Sequence, residues 1–116
     1  MGHVLVVDDD DCYLMILGRL CASAGHRVVT ADNADDARLA LAQHVFDLML
    51  LDLQMPRDEG LPLIAEVERD PRLAPHAVVV TGFPIVATMF TNLPIIDKGK
   101  LRDLSVLLKK LDSAQA

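Results

Sequence analysis

Aromatic side chains make up only 3% of this chain, so its interior must be assembled from Leu, Val, Ile, Ala and Met. A basic stripe is also missing. With a formal charge of -6, direct binding to nucleic acid is excluded, because neutralising phosphates requires clustered Lys and Arg. The one modest basic cluster, from Lys98 to Lys110, reads as a final helix whose Lys109 and Lys110 suit the negative end of the helix dipole. No apolar run approaches the ~20 residues of a membrane span. No signal-peptide pattern opens the chain, so a cytoplasmic location without a membrane partner is expected. Cysteine is scarce. Cys12 and Cys21 would face opposite sides of a helix, so no disulfide is expected and both read as small buried hydrophobes. His3, His26, His44 and His76 are dispersed and lack zinc-ligand spacing.

What remains is a chain of 116 residues, 52% hydrophobic and 24% charged, which fits one globular domain. Short aliphatic runs alternate with helix-type segments. His3-Val7 is an unbroken run, as expected of a strand buried on both faces. Asp11-Ala24 has apolar residues at helical spacing (Leu14, Leu17, Leu20, Ala24) and stops at Gly25, a C′ glycine. Arg27-Ala31 is a β-branched strand. Asn33 caps a helix over Ala34-His44, with Ala37, Leu41 and Val45 near its buried face. Asp47-Leu51 is the next buried strand, Gln54-Gly60 a loop and Leu61-Arg69 a helix. Pro71 and Pro75 bracket another loop. Ala77-Val80 is strongly β-branched, Pro94-Ile96 is a short strand, and Leu101, Leu104, Leu108 and Leu111 mark a last amphipathic helix. Gly82 and Pro84 weaken any helix in the segment from 82 to 92. Strands alternating with helices over short connections predict a parallel sheet sandwiched between helices.

In such sheets ligands gather at the carboxyl ends of the strands. The polar residues there are Asp8 and Asp9 after strand one, Asp52 after strand three, Thr81 at the end of strand four, and Asp97 and Lys98 after strand five. Clustered carboxylates stay ionised only beside a cation. Magnesium fits, because it takes one or two carboxylates, a carbonyl and waters. With the metal and Lys98 balancing charge, one carboxylate can act as nucleophile toward a phosphoryl group, and Thr81 can donate to a phosphoryl oxygen. The run Asp8 to Asp11 thus divides: Asp8 and Asp9 belong to the strand end, while Asp10 and Asp11 open the first helix. An EF-hand reading fails, since its loop glycine and distal glutamate are missing. Met49 and Met55 read as core and loop packing.

The stretches VLVVDDD (4-10), DLMLLDLQMPRDEG (47-60), VVVTG (78-82) and the lysine of IIDKG (95-99) resemble the CheY-like receiver domain of two-component response regulators. The second is the most specific, with aspartate, Met-Pro and glycine at the family's spacing. The resemblance covers essentially the whole chain. It implies a flavodoxin-like (βα)5 three-layer sandwich, strand order 2-1-3-4-5, as a single domain over 1-116 with no output domain. It implies that Asp52 accepts phosphate from a sensor histidine kinase or histidine phosphotransfer protein, and that the product signals by binding a downstream protein rather than as an enzyme. It further implies Mg²⁺ (with Mn²⁺ able to replace it) on Asp8, Asp9, Asp52 and the Gln54 backbone carbonyl, with Asp8 acting mainly through water. Thr81 would be the switch hydroxyl, and Lys98 the partner of phosphoryl or carboxylate oxygens.

The sequence departs from that pattern in three places. Gly99 follows Lys98 where the family usually has proline, often cis. A non-proline cis bond costs about 2.5–4 kcal/mol, so a trans linkage is expected. Ile95 occupies the switch position that is commonly Tyr or Phe. The segment from Thr81 to Lys98 is shorter than usual, which predicts a short or irregular fourth helix. These departures bear on the output surface rather than on phosphorylation. They leave two variants open: a degenerate receiver that binds partners without phosphate, and a receiver segment of a hybrid kinase serving as phosphate relay or sink. A haloacid-dehalogenase-like phosphatase also uses an aspartyl phosphate, but it needs an acid two residues after the nucleophile, where this chain has Gln54.

Overall fold

In the computed structural model, residues 2–55, 57 and 59–115 are described, 112–115 by backbone alone. Five parallel strands form one sheet: β1 (His3–Val7), β2 (Arg27–Ala31), β3 (Leu48–Leu51), β4 (Ala77–Thr81) and β5 (Ile95–Asp97). Their order is β2-β1-β3-β4-β5, as the flavodoxin-like reading expects. The helices are α1 (Asp11–Ser23), α2 (Ala34–Gln43), α3 (Gly60–Arg69), α4 (Pro84–Ala87) and α5 (Leu101–Gln115). Every residue of β3 and β4 is buried, which explains why both are continuous apolar runs instead of alternating, up to Thr81 at the end of β4.

Successive side chains point to opposite faces of the sheet and build two cores. On one face Leu5, Val7, Met49, Leu51 and Val79 pack with α2, α3 and α4. On the other, Val4, Val6, Leu48, Leu50, Val78 and Val80 meet Leu17 and Cys21 of α1 and Leu104 and Leu108 of α5. Each fully buried aliphatic side chain contributes about 1.5–3 kcal/mol. The helix punctuation follows the sequence. Asn33 Oδ1 accepts the Asp36 N–H at 2.8 Å. Gly25, at φ 91°, closes α1 with its N–H on Ala22 O and the His26 N–H on Cys21 O, the paired bonds of a Schellman end.

Four expectations are corrected. Cys21 is buried but Cys12 is exposed, because the two do lie on opposite sides of α1. Val45 falls beyond the end of α2 and is 89% exposed, while the neighbouring Phe46 enters the core. Helix α5 runs on to Gln115 and its last turn holds no basic residue, so Lys109 and Lys110 sit too early to serve the dipole. Strand β5 starts at Ile95, one residue after Pro94, which cannot donate to a ladder. No cis peptide is present among the described residues, as Gly99 led us to expect.

Candidate functional site

Register brings the acids together. β1 and β3 are neighbours with Val7 opposite Leu51, so the next residues, Asp8 and Asp52, leave the sheet side by side. The ladder continues through the Asp52 N–H to Val7 O (3.0 Å) and the Asp8 N–H to Ala31 O (3.1 Å). Asp8 and Asp52 are buried and Asp9 is exposed. One carboxylate oxygen from each of the three lies within 4.8 Å of the others. From the far side Lys98 reaches in after β5, with Nζ 2.7 Å from Asp8 Oδ2 and 3.4 Å from Asp52 Oδ1.

The remaining predicted residues divide by position. Thr81 is buried at the end of β4, where its Oγ1 accepts the Phe83 N–H at 3.0 Å. Its carbonyl accepts the Lys98 N–H at 2.8 Å, which ties the hydroxyl-bearing turn to the lysine. Gln54 donates its backbone N–H to Asp52, and its side chain is exposed. Ile95 is half-buried and packs against the core beside α4, at the opposite end of β5 from Lys98. Asp10 is the N-cap of α1: its side chain accepts from Cys12 N (2.8 Å) and Tyr13 N (3.4 Å). Asp11 lies in the first helical turn. Pro56 of the Met-Pro pair lies outside the described residues. Gly60 is required sterically, since a Cβ there would overlap the Leu53 carbonyl in the backbone that follows Asp52.

Burial pushes the Asp52 carboxyl up to about 7. Asp8 adds to this, and Lys98 and the Gln54 N–H only partly oppose it. Burial works against the Lys98 ammonium, but its contacts with Asp8 and Asp52 outweigh it and raise its pKa above the ordinary lysine value. Three acids face one ammonium, leaving the pocket short of positive charge. Asp8 Oδ1 accepts the Asp10 N–H at 3.0 Å. Its Oδ2 is buried without a well-aligned hydrogen bond and meets Lys98 as a charge contact. One oxygen from each of Asp8, Asp9 and Asp52, brought within reach of one another, makes an all-oxygen donor set that fits a hard divalent cation such as Mg²⁺.

Sequence reading assigned no role to Tyr13, whose ring centroid is 4.2 Å from Lys98 Nζ. The available signal was its place four residues after Asp9, in the first turn of α1.

The Response regulator receiver domain model matches residues 4–95, and this chain belongs to that family. The transcriptional regulatory protein GlrR of Escherichia coli (strain K12) is 37% identical over 85 residues, 73% of this chain and 17% of that protein. The sensory/regulatory protein RpfC of Xanthomonas campestris pv. campestris is 34% identical over 65 residues, 56% of this chain and 9% of that protein. The chain thus spans under a fifth of the length of either relative. Among solved structures, the response regulator protein TrrA of Thermotoga maritima, in complex with Mg²⁺-BeF, superposes with a TM-score of 0.76. Its identity to this chain is 23%, over 96% of this chain and 99% of that one. Its fold is shared throughout, and two-component signalling is the setting in which the acidic pocket is read.

Proposed function

We propose that this chain is a phosphoacceptor. Asp52 takes a phosphoryl group from a phosphohistidine on a sensor kinase or histidine phosphotransfer protein, and the modified form signals by binding another protein. The observation that carries this reading is Asp52 itself, a buried carboxylate at a strand end with Asp8, Asp9 and Lys98 around it. In the transfer, an Asp52 oxygen forms the new bond to phosphorus while the P–N bond breaks, and the donor imidazole keeps the electron pair. Lys98, already between Asp8 and Asp52, balances charge that develops on the phosphoryl oxygens. Mg²⁺ held by Asp8, Asp9, Asp52 and the Gln54 carbonyl would supply further charge neutralisation. Residues 1–116 act here as one receiver unit.

Output is read through Thr81. Its hydroxyl caps the Phe83 amide in the resting form, and a phosphoryl oxygen on Asp52 would compete for it. Releasing that amide loosens the segment carrying Phe83, Ile85, Val86, Met89 and Phe90, all large apolar side chains exposed to solvent. An apolar cluster of this kind suits a protein partner. A second reading, partner binding without phosphate, is favoured by Ile95, whose core packing leaves no aromatic at the switch position.

Incubation with acetyl phosphate and Mg²⁺ tests the proposal. Intact-mass measurement should find one phosphoryl adduct on the wild type and none on Asp52→Asn. A wild type that stays unmodified removes the phosphoacceptor reading and leaves phosphate-independent binding.

A further inference from the structure

Lys98 has a third neighbour that the phosphoacceptor reading does not use. The Tyr13 ring lies 4.2 Å from the ammonium, well inside the ~6 Å over which a ring face attracts a cation. With Asp8 and Asp52 on its other contacts, the Lys98 side chain is only 12% exposed. Little water therefore competes for the charge, and the attraction is strengthened.

The backbone that carries the ring is tied, through Asp10, to the same Asp8 that meets the lysine. Asp8 Oδ1 accepts the Asp10 N–H, Asp10 Oδ1 accepts the Tyr13 N–H, the Tyr13 ring faces Lys98 Nζ, and Nζ returns to Asp8 Oδ2. These four contacts form a closed circuit around the acidic pocket. Tyr13 is the only tyrosine of the chain, which has no tryptophan, and it stands at this lysine rather than on β5.

We propose that Tyr13 is a positioning residue for Lys98: its ring keeps the ammonium within reach of Asp52 while the lysine shifts from Asp8 to the phosphoryl oxygens. This role rests on the phosphoacceptor reading. With acetyl phosphate as donor, an Asp52 oxygen bonds to phosphorus, the P–O bond to the acetyl group breaks, and acetate departs with the electron pair. A lysine without the ring at its flank swings into water for part of the time, and the incoming charge then meets it less often.

Adduct formation on Asp52 is timed by intact mass with acetyl phosphate and Mg²⁺, for wild type, Tyr13→Phe, Tyr13→Leu and Tyr13→Met. Phe keeps the ring face and should react within about twofold of wild type, whereas Leu and Met should be slower by about three- to tenfold. A side chain that merely packs on the lysine stem predicts instead that Leu and Met match wild type, and that result overturns the role. So does a Phe variant as slow as Leu. Urea midpoints near wild type confirm that the variants fold.

The contact is read without phosphate by NMR of labelled lysine. The Lys98 ε-protons should be shifted upfield by the ring current in wild type and Tyr13→Phe, and not in Tyr13→Leu. An unshifted wild type overturns the contact. If the shift is present but the wild type takes no phosphoryl group, the phosphoacceptor reading fails and the role falls with it. If an adduct forms at equal rates in wild type and Tyr13→Leu, the Tyr13 proposal alone fails.

Discussion

At position 52 a carboxyl group is held out of water beside a second acid, and one ammonium only partly compensates. This makes the site unstable on its own terms, and the effect depends on pH. The Asp52 pKa stands at about 7 in the folded chain against an ordinary 3.8. Between those values the folded form holds a proton that the unfolded form has lost. Stability is therefore fully present below about pH 4 and declines as pH rises to about 7. Asp52→Asn removes that ionisation. In EDTA it should be more stable than wild type at pH 8, on the order of 2 kcal/mol, with the gap shrinking by pH 5. Urea midpoints at the two pH values measure it, and an unchanged gap would contradict the assignment. The division within Asp8 to Asp11 belongs to the same scale. It was legible because a buried aliphatic run ends at Val7 and a helical pattern starts soon after. The grip of Tyr13 on Lys98 was not, because nothing local says which residue 85 positions away (98 − 13) will meet its ring.

Among the elements, the loop from β3 into α3 and the short α4 determine what the site can do. Gly60 starts α3 so near the Leu53 carbonyl that a Cβ would overlap it, so α3 docks directly behind the backbone that follows Asp52. Gly60→Ala must push these segments apart, at a cost of about 1–3 kcal/mol. A urea midpoint lowered accordingly, with faster amide exchange over Leu53 and Gln54, is the expected outcome. A variant as stable as wild type would show that the approach is not required. The glycine was recognisable from its spacing to Asp52, but its physical reason is a tertiary contact. Helix α4 covers only Pro84–Ala87, as Gly82 and Pro84 foretold. Pro84 suits a first helical turn, while the exposed Ile85, Val86 and Met89 offer little burial to extend it. Val45 shows the limit of periodicity. It continued the apolar pattern of α2, yet the helix ended at Gln43 and Phe46 took the core place.

Across the whole molecule, His26 links parts of the chain that the sequence keeps far apart. It is buried at the start of β2, and its Nδ1 accepts the Gly2 N–H at 2.8 Å. A backbone amide can only donate, so the ring proton sits on Nε2, 3.2 Å from the Leu108 carbonyl of α5. One imidazole thereby joins the N-terminus, the sheet and the last helix at the end of the sheet away from Asp52. His26→Ala leaves the Gly2 amide without its buried partner and opens a gap, so a loss of about 2 kcal/mol is expected from the urea midpoint. A loss near zero would mean that water replaces both bonds. His3, His44 and Phe46 also meet as a ring cluster, with His3 and His44 centroids 5.3 Å apart, although the histidines are dispersed along the sequence.

The order of strands and helices, the caps at Asp10, Asn33 and Gly25, and the assignment of Asp8, Asp9, Asp52 and Lys98 to strand ends were all readable from the chain. Each depends on residues a few positions apart, on the aliphatic runs that require burial, or on the spacing shared with receivers. Other features depend on how strands are paired and helices laid across them. Strand pairing brought Lys98 between Asp8 and Asp52, where burial sets their charge states. Helix placement left Cys12 outside with Cys21 inside and joined His26 to α5. It also laid Tyr13 against Lys98. Burial and long-range contact belong to the packed molecule, because the chemistry of a side chain does not say which distant residue will become its neighbour.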